Sequence, residues 1–170
     1  MTTMIVLRFI HVLSGVFWAG SVFFVAAFLI PGLRASGPAG GQVMQQVIGK
    51  LRYPTAAGIA GLLTILSGAG MYWRNVSLSS GGWASSVPGL TYGFGALAAI
   101  TAIIIFARII APTGEQLLQL AGSIQSSGGP PSAEQGTRLA QLQGRLAFAS
   151  RLGASCLAVT VICMAIARYL

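Results

Sequence analysis

Four long apolar stretches, none containing Asp, Glu or Lys, limit what this chain can become more than any other feature. They run over about 4–30, 54–73, 89–110 and 146–169 of the 170 residues. A helix needs about 20 mainly apolar residues to cross a hydrocarbon core about 30 Å thick, and each stretch reaches that length. An ordinary soluble domain carries roughly 25% charged residues. This chain carries 7%, too few to coat a globular surface, so a soluble enzyme and a disordered chain are both excluded. The expected fold is all-α: a polytopic membrane protein, with residues 1–170 forming one four-helix transmembrane bundle. The first stretch reads as a retained span, because it is long, holds Trp18 and lacks a basic start.

The net charge of +8 would suit a nucleic-acid binder if it were clustered. Here the basic residues stand singly beside the apolar stretches, so no nucleic acid is expected and the charges read as topology signals. The two longer connections and their flanks hold Arg34, Lys50, Arg52, Arg108, Arg138, Arg145 and Arg151, against Arg8, Arg74 and Arg168 on the other side. That bias of seven to three puts both termini outside a bacterial inner membrane and both longer connections in the cytoplasm. Tyr72, Trp73, Trp83, Tyr92 and Tyr169 then form an aromatic belt at the outer interface.

Pro31, Pro88 and Pro112 are read as bounding the spans. Between Pro38 and Leu51, the residues Val43, Met44, Val47, Ile48 and Leu51 recur at helical spacing and predict a short interfacial helix. Helical spacing resumes over 115–124, and Ser126 to Pro131 is a turn. The run Ser132-Ala133-Glu134-Gln135 has the form of a capping box. A helix from Ser132 to Tyr169 would measure roughly 57 Å. Spans three and four are therefore expected to extend together into the cytoplasm as a hairpin, with Leu139 and Leu142 facing Leu117 and Leu120. Small residues on spans two, three and four, among them Ala57, Gly61, Thr64, Ser67 and Gly68, predict close helix packing.

His11 is the one histidine, and it lies about two turns into the first span. An ionisable group at that depth is costly and is a functional candidate by default. Its face continues through Ser14, Gly15 and Trp18, where small residues admit a flat ligand or a close helix. A neutral imidazole suits haem iron or copper. It equally suits a hydrogen bond to a backbone carbonyl or a hydroxyl within the bundle. With span four ending outside, Cys163 and Met164 come to a similar depth, Met71 closes span two on that side, and Met4 precedes His11. Thiol and thioether groups suit haem or Cu(I), and they also serve as core filler. Arg8 sits one turn before His11, placed either to snorkel to the headgroups or to pair with a propionate. Cys156 and Cys163 are about 10 Å apart along one helix, which excludes a bond between them. The chain has no Ser-His-Asp set, no phosphate-binding glycine loop and no CxxC motif, and its spans hold no acid for a proton path. These absences point away from an enzyme.

The run Leu7-Arg8-Phe9-Ile10-His11-Val12-Leu13-Ser14-Gly15-Val16-Phe17-Trp18-Ala19-Gly20 resembles the opening helix of a group of small bacterial membrane proteins. The group comprises the copper-resistance protein D type, the membrane-type protoporphyrinogen oxidase and related integral membrane proteins. Leu51-Arg52-Tyr53-Pro54 and the Gly-rich run from Gly58 to Gly70 are similar to their second helix. The resemblance covers about half the chain and is most specific at His11, Trp18 and Gly20. It implies a haem- or porphyrin-associated bundle with His11 as ligand, or copper handling. The oxidase type carries a Lys at the start of its third helix, where this chain has Pro88-Gly89-Leu90-Thr91, and it has further histidines that this chain lacks. That departure speaks against porphyrinogen oxidase activity.

Three functions follow as expectations. The first is binding of b-type haem or a metal through His11, for electron transfer or cofactor handling. The second is a non-catalytic structural or accessory subunit of a larger membrane protein complex, and the partners expected are the bilayer with either further copies of the chain or other membrane subunits. The third is copper import through His11 with Met71, Cys163 or Met164.

Overall fold

In the computed structural model, which describes residues 2–128 and 130–170, four long helices are long and apolar enough to span a bilayer. They are α1 (Thr2–Ala35), α3 (Tyr53–Leu78), α4 (Val87–Ser126) and α5 (Ala133–Tyr169). A shorter helix, α2, runs over Pro38–Gln45 and continues as a π turn over Gln46–Lys50. No strand occurs among the described residues. The helices satisfy their own backbone hydrogen bonds, as a chain immersed in lipid must. The protein is an all-α, multi-pass membrane protein in contact with the bilayer.

Burial is distributed as that setting requires. Ala57, Ala60, Ala99, Ala102 and Leu157 form the midsection of the core around Trp18. Large apolar side chains such as Ile5, Phe9, Val16, Phe94 and Leu97 face outward and are exposed. In water so large an apolar surface would drive association; against lipid tails it is the matching surface. What holds the helices together is close approach at small residues.

The bundle consists of two tightly packed antiparallel pairs, α1 with α3 and α4 with α5. In the second pair Gly95 lies against Cys163 and Met164, and the Thr160 hydroxyl donates to the Gly95 carbonyl at 3.0 Å. Further along, Ile110 reaches Gly153. Contacts between α3 and α4 join the pairs: Gly58 lies against Phe106, and the Tyr72 hydroxyl donates to the Gly89 carbonyl at 3.3 Å. These registers bring both chain termini to one end of the bundle. Tyr72, Trp83 and Tyr92 cluster there, with successive ring centroids 5.1 and 6.0 Å apart.

Two span boundaries differ from the sequence expectation. The first span does not end before Pro31, nor the third before Pro112. In both cases a π turn, Val25–Leu29 or Phe106–Ile110, ends two residues before the proline. A helical proline lacks an N–H, and its ring collides with the carbonyl four residues back. Those carbonyls belong to Ala27 and Arg108, which lie inside the π turns. The wider turn redirects the local hydrogen bonds, so that the Ile30 N–H reaches Val25 and the Ala111 N–H reaches Phe106. The chain absorbs each proline and stays helical.

That continuity builds the hairpin at the end opposite the termini. The 40 residues of α4 measure about 60 Å, twice the hydrocarbon thickness. Leu117 and Leu142 meet in a second apolar cluster with Ile30, Leu146 and Ala147, with Leu120 and Leu139 packed against it. Ser132 forms the expected capping box with Gln135 at the start of α5. The turn read over Ser126 to Pro131 lies partly outside the described residues. Helix α2 and its π continuation present Met44, Val47 and Ile48 to a small apolar cavity, while Val43 and Leu51 are exposed. The Arg34 guanidinium ties this region to the hairpin by donating to the Gln143 carbonyl.

Candidate functional site

His11, Gly15, Trp18 and Val22 recur on α1 at spacings of four, three and four. Ala57, Gly61, Thr64 and Gly68 recur on α3 at the same spacings. Such spacing puts each set on one narrow stripe of its helix. The stripes meet in antiparallel register: His11 lies over Gly68, Gly15 against Thr64, and Trp18 over Gly61. The seam is close-packed. A Cβ added at Gly61 would stand 2.8 Å from the Trp18 ring, and one at Gly68 would stand 2.8 Å from the His11 ring. Two glycines therefore make room for the two ring side chains of α1. Trp18 is only 3% exposed.

Polar contacts cross the same seam. The His11 Nδ1 lies 2.8 Å from the Thr64 carbonyl oxygen. A carbonyl only accepts, so Nδ1 carries the proton. The Ser67 hydroxyl lies 3.4 Å from the same nitrogen. The Ser14 and Thr64 hydroxyls are 2.9 Å apart, and each also reaches a carbonyl of its own helix, Ile10 at 2.6 Å and Ala60 at 2.7 Å. Their two protons thus serve three contacts. Lower down, the Tyr53 hydroxyl donates to Ser21.

The consequence for chemistry lies at Nε2. With the proton on Nδ1, Nε2 is the lone-pair nitrogen. It makes no hydrogen bond within the described residues, and the side chain that carries it is half-buried. A histidine whose Nδ1–H is held by a carbonyl is the usual arrangement of a metal-ligating imidazole.

The other candidates separate into groups. Ser14, Gly15 and Trp18 do share the His11 face, and α3 fills it: the small residues admit a close helix. Arg8 turns away from the seam and lines an open cavity of about 700 Å³ with Arg74. Met71 continues the α3 stripe one turn beyond Gly68 and is half-buried. Cys163 and Met164 pack on Gly95 in the α4/α5 seam, and both cysteines are free thiols. Among the described residues no three His, Cys, Asp or Glu side chains gather into a metal-binding group. The partner of His11, the Thr64 carbonyl, has no sequence signature of its own, because every residue type offers a carbonyl. The matching four-three-four spacings were the available signal.

Thr64→Val tests the hydroxyl pair. It keeps the methyl group that faces Gly15 and removes the interhelical Ser14 contact together with the bond to Ala60 within the helix. The expected loss is about 0.6 kcal/mol, the average for interhelical hydrogen bonds in a bilayer protein, read by thermal unfolding in detergent. The His11 bond goes to the backbone and is expected to survive. The chain matches no protein-family model, no curated protein and no solved structure.

Proposed function

We propose that this membrane protein binds b-type haem or another metal centre through the His11 imidazole, serving electron transfer or cofactor handling. The observation that carries this reading is the state of the ring. Nδ1–H is held by Thr64 while Nε2 has no hydrogen-bond partner, at a depth where an ionisable side chain is otherwise costly. The residues fit an imidazole ligand but do not enclose a porphyrin, since α3 occupies the Ser14–Gly15–Trp18 face. Any further residues needed to hold the group would come from another copy or another subunit. When bound, haem supplies one-electron chemistry; His11 tunes it through the hydrogen bond to Thr64. The test is the visible spectrum of the purified full-length protein, reduced minus oxidised. A Soret band that disappears in His11→Ala supports the reading, and a colourless, metal-free protein overturns it.

A non-catalytic accessory subunit is the second reading. It is favoured by the same seam, because an imidazole already bonded to Thr64 is a sufficient interhelical staple. Co-purification with partners, together with a fold indifferent to His11, would support it. Copper import has less behind it, since Cys163 and Met164 are committed to the α4/α5 seam.

We also place the protein in a bacterial inner membrane with both termini outside, on the Lys and Arg bias. A C-terminal alkaline phosphatase fusion is then expected to be active, and a fusion in the loop after Ser126 inactive. The reverse pattern would refute this orientation.

A further inference from the structure

On α1, away from the His11 seam, Arg8 and Arg74 line the same cavity of about 700 Å³. Its floor is the outward face of the helix, formed by Ile5, Phe9, Val12, Leu13 and Val16. These side chains are all exposed, Phe9 to 67% and Val16 to 69%. Arg74 comes from α3. Leu7 lies against Gly70, so the antiparallel register sets Arg74 near the first turns of α1, at the end of the bundle carrying the termini. Two cations from different helices thus stand at one end of an apolar groove.

The chain offers these arginines no carboxylate side chain. Its two acidic residues, Glu115 and Glu134, both lie in the hairpin at the opposite end. Arg168 is at the same end as the groove but lies over the Tyr169 ring, 5.3 Å from its centroid. Two guanidinium groups without an acid are a receptor for an anion, and phosphate is the anion their forked donors match best. From Ile5 to Val16 the groove runs about 17 Å along the helix, close to one leaflet of a 30 Å core. The ligand must therefore be anionic at one end and an apolar chain at the other.

We propose that this groove is a binding site for an anionic phospholipid, with its phosphate between Arg8 and Arg74 and an acyl chain along Phe9, Leu13 and Val16. This site is separate from His11, and its occupancy does not depend on any cofactor.

The test uses the full chain in nanodiscs of phosphatidylcholine with and without phosphatidylglycerol, and native mass spectrometry after mild delipidation. The wild type is expected to retain phosphatidylglycerol and to gain thermal stability from it. In Arg8→Gln/Arg74→Gln, retention is expected to fall at least about tenfold, as for the loss of two charge-assisted hydrogen bonds, and the thermal gain to vanish. Both side chains are exposed, so the double variant is expected to unfold at the wild-type temperature in pure phosphatidylcholine. Arg168→Gln, which removes the same kind of charge outside the groove, is expected to retain the lipid. Equal retention by the double variant, or an equal loss in Arg168→Gln, would overturn the proposal. So would a lipid-free dimer in which a second copy covers Phe9 and Leu13.

Discussion

Gly61→Leu is expected to separate α1 from α3 and to cost at least about 3 kcal/mol of bundle stability, the upper end of the usual overpacking penalty. Even a bare Cβ at this position stands 2.8 Å from Trp18, with two more ring atoms 3.1 Å away. The indole has little room to retreat, because it is 3% exposed and belongs to the buried cluster with Ala57, Ala60, Ala99, Ala102 and Leu157. The added atoms can therefore be accommodated only by moving the helices apart, which also pulls His11 away from Thr64. Gly20→Leu is the control, since nothing lies within 4 Å of a Cβ there. Its expected cost is within about 0.5 kcal/mol, as for an ordinary surface substitution. Unfolding in detergent, followed by tryptophan fluorescence, reads both variants. A Gly61→Leu protein as stable as the control would show that the α1/α3 seam is not where this account puts it.

His11→Asn is expected to keep the bundle folded and to abolish ligand binding. The two roles of the imidazole reside on different nitrogens. An asparagine amide sits where Nδ1 sits, so it can still donate to the Thr64 carbonyl. It has nothing in place of Nε2. His11→Leu loses both roles and leaves the Thr64 carbonyl without its interhelical donor. The expected difference in stability between the two variants is about one interhelical hydrogen bond, near 0.6 kcal/mol. If His11 were only a staple, His11→Asn would be nearly silent in every assay.

The fold was largely legible because in lipid hydropathy alone dictates helices. The hairpin contacts were legible too, since Leu117, Leu120, Leu139 and Leu142 carry their spacing openly. The helix ends at Pro31 and Pro112 were not. Proline normally stops a helix, and no residue in Val25–Leu29 or Phe106–Ile110 announces a π turn. His11 was identifiable as the residue of interest from its depth. The identity of its face was not, because small residues at Ser14 and Gly15 admit a ligand or a helix equally well. Only the pairing of α1 with α3 decides between them. Arg8 shows the same limit. One turn from His11 in sequence, it turns away from the seam and shares a groove with Arg74, whose proximity only the antiparallel register reveals.

The central claim is that Nε2 of His11 is a ligand. The measurement that tests it most directly is the reduced-minus-oxidised absorption spectrum of His11→Asn beside the wild type, at equal concentration and with unfolding temperatures matched. The account predicts a Soret band in the wild type and none in the asparagine variant. A band of equal strength in both, or no band in a metal-free wild type, would contradict it.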